Sequence, residues 1–419
     1  MSKIIKAKLG EICIQEKGAV ISGPFGSNIS SKYFKESGIP VIRGNNLSLS
    51  MDKFYDTGFV FISEEKANEL KCDALRGDII FTAAGTIGQV GIIPENSKYS
   101  RYVISNKQIR ARIDVTKVDL LYAYYWFSSP WIKKVLTNSN KGSTVPLLTL
   151  HEVKTLPICY PEDLDEQRNI AEIIDTITNK IENNKIVNSE IEDMAKAIYD
   201  YWFLQYDFPD ENGKPYKSSG GKMIWNEELK REIPEGWEVA DLKDIASITM
   251  GTSPKGDSIN TDGKGIIFYQ GKADFGSRFP ITRTYTNAPI RYADINDILL
   301  SVRAPVGTIN IANKKCCIGR GLAAIHSKYG SFMYYLLLAN QYKFDIYNNG
   351  GTTFGAITKD SLFGMRVVIP KESVIEKFEK RAKCIDQEIF KNNEEKQELV
   401  SLRDFLLPLL MSGQVGFKQ

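Results

Sequence analysis

Histidine and cysteine are scarce in this chain of 419 residues. It holds two histidines, His151 and His326, and six scattered cysteines, Cys13, Cys72, Cys159, Cys316, Cys317 and Cys384, with no Cys-x-x-Cys pair. Neither a zinc site nor a disulfide framework is expected from ligands spaced in this way, and two histidines in unlike contexts give little support to a Ser-His-Asp arrangement. His151, closing the run Leu147-Leu-Thr-Leu150, reads as structural. No apolar run reaches the roughly eighteen residues of a membrane span, and the opening MSKIIKAKLGEICIQ lacks the apolar stretch of a signal peptide. The expected compartment is the cytoplasm, with no membrane partner. A nucleotide phosphate cradle of the form GxxxxGK[ST] is missing too, since Tyr216 stands where the glycine before Gly221-Lys222 would be. An Asn-Pro-Pro-Tyr motif for amino methylation is absent. Pro209, Asp210, Glu211 and Lys214 crowd too closely to give a nuclease its pair of metal-binding carboxylates. No catalytic residues, no metal and no cofactor of its own are therefore expected.

What is present is an ordinary globular composition, 42% hydrophobic and 25% charged, in a chain long enough for two or three domains. The net charge of +3 is unevenly placed: Glu162 to Asp200 holds 11 acids against 4 bases, leaving 50 bases against 40 acids elsewhere. An acidic segment repels phosphate and suits protein partners, whereas a basic surplus on the flanking regions is compatible with a nucleic-acid surface.

That acidic segment has the spacing of a coiled-coil seam. Ile170, Ile174, Ile177, Ile181, Asn184, Asn188, Ile191, Ala195, Ile198 and Trp202 alternate steps of four and three. Some forty helical residues at about 1.5 Å each make a rod of roughly 60 Å, which needs a partner because its other faces are polar. A shift of 208 residues lays the seam onto Phe378, Ala382, Ile385, Ile389, Asn392, Lys396, Leu399, Arg403, Leu406 and Leu410. Both copies are polar at the centre, with Asn184 matching Asn392, a feature that sets register at a cost in stability.

The remaining sequence repeats as well. Leu9-Gly-Glu-Ile12 is answered by Leu242-Lys-Asp-Ile245, and Ile42-Arg-Gly-Asn-Asn46 by Tyr269-Gln-Gly-Lys-Ala273. Gly77 to Thr82 with Gly85 to Gly88 is answered by Asn296 to Ser301 with Ala304 to Gly307; both read as strand, tight turn, strand, because apolar β-formers flank Gly/Pro punctuation. Gly142-Ser-Thr-Val-Pro-Leu-Leu-Thr149 matches Gly351-Thr-Thr-Phe-Gly-Ala-Ile-Thr358. A repeat this long is a duplicated domain rather than a solenoid. The expected architecture is α/β, of the mixed α+β kind: a domain over 1–161, a long helix over 162–206, a Pro/Gly/Ser-rich linker over 207–236, a second domain over 237–370 and a second long helix over 371–413, the two helices forming an antiparallel intramolecular coiled coil.

Candidate DNA-binding residues fall in matching loops. Lys141, Gly142, Ser143 and Thr144, and in the second copy Gly351, Thr352 and Thr353, offer backbone N–H groups and hydroxyls to phosphates. Arg43, Asn45 and Asn46, and Gln270, Lys272 and Arg303, offer donors and acceptors that suit base edges in a major groove. Any one of these residues also suits ordinary turn chemistry; their recurrence in two copies favours a shared surface.

Taken together, Asp165-Glu-Gln-Arg168, Phe208 to Lys217, Ile233-Pro-Glu-Gly-Trp237, Gly142-Ser-Thr144 and the terminal Leu406-Leu-Pro-Leu-Leu-Met-Ser-Gly413 resemble the DNA specificity subunit of type I restriction-modification systems along the whole chain. The second helix departs from the pattern at its start, where Ser373-Val-Ile-Glu376 replaces the Glu-Gln-Arg run. The resemblance implies a non-catalytic subunit with two target recognition domains, each reading half of a split asymmetric site in double-stranded DNA. It also implies two methyltransferase subunits as partners, carrying S-adenosylmethionine, and restriction subunits using ATP and Mg. Two other classes stay open on the residues alone: a coiled-coil protein scaffold, and a nuclease or methyltransferase with unrecognised motifs.

Overall fold

The computed structural model describes residues 2–138, 147–349 and 355–415. The chain divides into two compact units, 1–185 with 394–419, and 186–393.

In the first unit, strands Val20–Ser22, Gln108–Ala111, Ile79–Thr82 and Val90–Ile92 form an antiparallel sheet in that order. A second sheet runs Val60–Ile62, Ile39–Ile42, Tyr102–Ile104, Asp73–Ala74, with its central pair parallel. All four residues of Ile79–Thr82 are buried, so the period-two alternation of a strand feeds two cores rather than one core and solvent. Ile79 and Phe81 join Tyr122, Tyr125 and Phe127 of the helix Leu120–Phe127, whereas Ile80 joins Val41, Tyr102 and Ile104. Truncating Phe81 to alanine would remove buried surface from this arrangement and cost about 3–5 kcal/mol.

Ile4–Lys8 pairs antiparallel with Pro157–Pro161, which brings the start of the chain beside the segment leading into the first long helix. Gln167 fixes that junction. It is fully buried; its Oε1 accepts from Asp119 N at 2.7 Å, and its Nε2 donates to Pro161 O at 2.7 Å and Lys117 O at 3.3 Å. The Glu-Gln-Arg run thus has a physical purpose in its middle residue, since an unpaired amide here would cost about 1–3 kcal/mol.

The second unit repeats the plan. Ser247–Met250, Leu322–His326, Ile298–Ser301 and Ile309–Ile311 form the antiparallel sheet, and Ile266–Tyr269 lies parallel to Cys316–Ile318 in a five-stranded partner sheet. Ile298 and Leu300 again enter one core while Leu299 enters another. The stretch 207–236, marked as a linker by its composition, is folded. Asp207 accepts from the Ser218 backbone N at 2.7 Å and hydroxyl at 2.6 Å, Phe208 stacks on Tyr216 at 4.6 Å, and Met223–Asn226 pairs with Arg231–Pro234. Pro and Gly here shape tight turns around an aromatic cluster that includes Trp237.

The long helices span Leu164–Tyr199 and Glu372–Met411 and run antiparallel. In the first unit Ile170, Ala171 and Ile174 share a core with Leu407, Leu410 and Met411, and Asn184 Nδ2 donates to Glu395 Oε2 at 2.8 Å. In the second unit Asn392 Nδ2 donates to Asn188 Oδ1 at 3.0 Å, and Tyr199 meets Phe378 with ring centroids 5.6 Å apart. Along the seam Ile170, Ile174, Ile181, Asn184, Trp202, Phe378, Ile389, Asn392 and Leu410 are buried, and Ile177, Ile191, Ile198, Ile385, Leu399 and Leu406 half-buried. One detail departs from the expectation. Trp202 lies beyond the α-helix in a π-helical turn, Asp200–Leu204, whose wider winding gathers Trp202 and Phe203 around Phe378.

Candidate nucleic-acid interface

Three loops of the first unit converge at the ends of its strands. Ser105-Asn106-Lys107 joins Tyr102–Ile104 to Gln108–Ala111, and Ala83 N donates to Lys107 O at 2.7 Å, tying the strand-turn-strand motif to it. The loop from Arg43 to Asn46 is held by Gln89, whose Nε2 donates to Gly44 O at 3.0 Å and Leu47 O at 2.9 Å while its Oε1 accepts from Thr82 Oγ1 at 3.0 Å. Between the loops lies a cleft of about 840 Å³ with Arg43, Asn45, Thr86, Gln89, Asn106 and Lys107 in its lining and no carboxylate among its lining residues. Such a cleft favours an anion and presents donors and acceptors at fixed positions.

A close backbone approach sets its floor. A Cβ on Gly23 would fall 1.8 Å from Ser105 O, and Gly23 N donates to Gln108 O at 2.9 Å. Gly251 repeats both features in the second unit, 2.2 Å from Gly319 O and donating to Leu322 O at 2.9 Å. There Gly319-Arg320-Gly321 takes the place of Ser105-Asn106-Lys107, and Val302 N donates to Gly321 O at 2.9 Å. A buried carboxylate braces each frame. Asp78 accepts from Arg112 Nε and Nη2, each at 2.8 Å, and Asp297 stands 2.7 Å from His326 Nδ1. Burial opposes the charge on Arg112, but its bonds to Asp78 outweigh this and raise its pKa.

The sequence-predicted residues fare differently. Asn45 is exposed and Arg43 half-buried, both leaning on Gly58 O, at 3.1 and 3.3 Å. Asn46 is a correction. It is fully buried, its Oδ1 accepts from Arg43 N at 3.0 Å and its Nδ2 donates to Thr57 O at 2.8 Å and Tyr55 O at 2.9 Å, so it holds the loop and has no face for a base. The matching of Asn46 with Ala273 is corrected likewise: Asp274 fills the role, accepting from Gln270 N at 2.7 Å and Gly271 N at 3.4 Å, because the second loop is one residue longer. Gln270 is exposed and its Nε2 donates to Ser253 Oγ at 3.0 Å; Lys272 is exposed on the turn Lys272–Asp274. Arg303 is exposed and pairs through its backbone with Ala356, as Ala84 does with Leu147. Lys141, Gly142, Ser143, Thr144, Gly351, Thr352 and Thr353 lie outside the described residues. Sequence reasoning missed Asn106, Lys107 and Arg320. Their signal was two three-residue turns, each between apolar strands and each holding a base, at Ile104–Gln108 and Ile318–Leu322.

The fold is that of a duplicated mixed α/β protein with two long helices. The type I restriction modification DNA specificity domain model matches residues 2–193 and 234–397, and the chain belongs to that family. The MjaX type I restriction enzyme specificity subunit of Methanocaldococcus jannaschii is 31% identical, over 94% of this chain and 91% of its own length. The MjaIX specificity subunit of the same organism is 26% identical, over 97% and 93%. A crystal structure of the type I restriction-modification S subunit from M. genitalium covers 98% of this chain and 96% of its own, at 16% identity and a TM-score of 0.60, which speaks for the fold. Recognition of DNA within a restriction-modification complex is thus the role of this chain. Among the described residues no helix is long and apolar enough to cross a membrane.

Proposed function

We propose that the chain reads a split, asymmetric target in double-stranded DNA, one half per unit, and directs adenine methylation and restriction by partner subunits without chemistry of its own. One observation carries this reading: the two units share one strand-and-loop frame, with a close backbone approach at Gly23 and at Gly251, yet the loops at matching places differ, with Asn45, Asn106 and Lys107 in the first unit and Lys272, Arg303 and Arg320 in the second. Equal frames with unequal side chains suit two different half-sites, since Arg and Lys favour guanine edges and Asn or Gln adenine. Lys141 to Thr144 and Gly351 to Thr353 would add phosphate contacts.

Two methyltransferase subunits, carrying S-adenosylmethionine, would dock on the long helices, and restriction subunits with ATP and Mg would join them in the cytoplasm, where the DNA lies. Exposed apolar residues support helix docking: Val187, Met194 and Tyr201, each seven apart, in the second unit, and Leu402 and Phe405 in the first. The test is to map methylated adenines in cells expressing the chain with its partners. A bipartite, non-palindromic motif is expected, and a palindromic one would contradict the proposal.

A further inference from the structure

Phe25 is the most exposed large apolar side chain among the described residues, at 85%, and it lies in the loop that leads from Gly23 to Ile29, a residue lining the cleft of the first unit. Its loop is rigid. Gly23 is pinned to Ser105 and Gln108, Asn28 N donates to Phe25 O at 2.8 Å, and Ile29, three residues past Gly26, is buried in the core and also lines the cleft. The Cβ position of Gly26 lies 3.0 Å from Asn106 Nδ2, so the backbone next to Phe25 runs close to a polar group that lines the cleft. A loop tied down in this way loses little backbone freedom on binding. Counted from Gly23 and Gly251, the second unit has Ser253 at this place, bonded to Gln270 and to Arg320 N.

Building on the proposed DNA reading, we infer that Phe25 is a specificity-determining residue that packs against the C5-methyl group of a thymine in the half-site read by the first unit. A phenyl ring has no hydrogen bond to offer a base, and thymine methyl is the apolar group that base edges present in the major groove. Asn45, Asn106 and Lys107, which line the cleft of the same unit, supply the polar contacts that such a groove rewards. The second unit, with a hydroxyl in place of the ring, makes no equivalent methyl contact.

The test uses the full chain assembled with its methyltransferase subunits. The probes are a duplex bearing the motif found by methylation mapping, a shuffled duplex, and duplexes in which each thymine of the motif is replaced in turn by deoxyuridine, which lacks the methyl group. At one thymine the wild-type complex should lose about fourfold in affinity, the factor that corresponds to about 0.8 kcal/mol for one buried methyl-sized group. Phe25→Ser should bind the unmodified duplex about fourfold more weakly and be indifferent to deoxyuridine at that position, while Phe25→Leu keeps most of the sensitivity. If Phe25→Ser weakens all duplexes alike, or if no deoxyuridine effect depends on residue 25, the inference is overturned even though specific binding persists. Failure of the wild-type complex to prefer the motif over the shuffled duplex would instead remove the DNA-reading proposal itself.

Discussion

Arg278→Met puts the anchoring of the second domain to its stalk under direct strain. Arg278 is 2% exposed and spans both long helices within its unit: Nη1 donates to Glu192 Oε1 at 2.8 Å, Nη2 bonds to Asp386 Oδ1, and the guanidinium lies 4.4 Å from the Tyr334 ring centre. Burial alone disfavours this charge, yet Asp386, the two tyrosines and Glu192 more than compensate, and the pKa of Arg278 is held above its usual value. Methionine fills the volume but leaves two carboxylates facing each other. Breaking a buried ion pair costs about 3–5 kcal/mol, and because the Glu192 and Asp386 side chains keep 30% and 20% of their exposure, the lower end, about 3 kcal/mol, applies. Hydrogen exchange of peptides from 186–199 and 378–393 should accelerate by roughly two orders of magnitude. The pH sign is also set. Burial raises the Asp386 pKa even with Arg278 beside it, and removing the guanidinium raises it further, so in the variant the penalty of this carboxylate is full above the raised value and is relieved as pH falls through it. The gap between variant and wild type should therefore narrow from pH 7 toward pH 5, and Glu192→Gln should restore part of the loss. A loss under about 1 kcal/mol, or a gap that is independent of pH, refutes the reasoning.

In the first unit burial raises the pKa of Asp52, but bonds from Lys185, Ser50 and Tyr55 prevail and bring it to about 2. This depressed carboxylate contributes about 2 kcal/mol above pH 4, lost as pH falls toward 2, so Asp52→Asn should lower the urea midpoint at pH 7 and lose its effect near pH 2. Replacing Met194 together with Leu402 and Phe405 by serine should weaken methyltransferase pull-down while the chain stays folded, as circular dichroism would report. Four residues inserted between Asn184 and Asn188 add about 6 Å of helix and nearly restore the seam, so the unspecified gap in the methylated motif should grow by about one to two base pairs with both halves unchanged. An unchanged gap with methylation retained would show that the helices do not set it.

The stalk was legible because a 4-3 alternation survives from Ile170 to Trp202 and needs no tertiary information. The paired frames were legible where Gly or Pro punctuates apolar runs, as at Gly85 and Pro305. Other features depend on three-dimensional register. Asn45 and Asn46 are neighbours with the same side chain, and only the fold turns one outward and buries the other beneath Thr57. Turn-forming composition over 207–236 looked like a spacer because the stacking of Phe208 between Tyr216 and Trp237 joins residues that no local pattern connects. Lys107 and Arg320 were hidden for the same reason: strand pairing sets the turns that carry them, and only the fold brings Lys107 to the cleft of the first unit.

Exchanging residues 1–161 for the corresponding domain of a relative with a different methylated motif, and then mapping methylated adenines genome-wide, tests the division of labour between the two units. The core around Val41, Tyr102 and Ile104 lies wholly within the exchanged residues, while the core around Phe81 also takes in Ile170, Ile174 and Leu407 of the long helices, so a donor domain that is apolar at that face should leave the stalk paired. The account predicts that one half of the split motif changes to that of the donor while the other half and the gap stay as they were; change in both halves, or in neither with methylation retained, would contradict it.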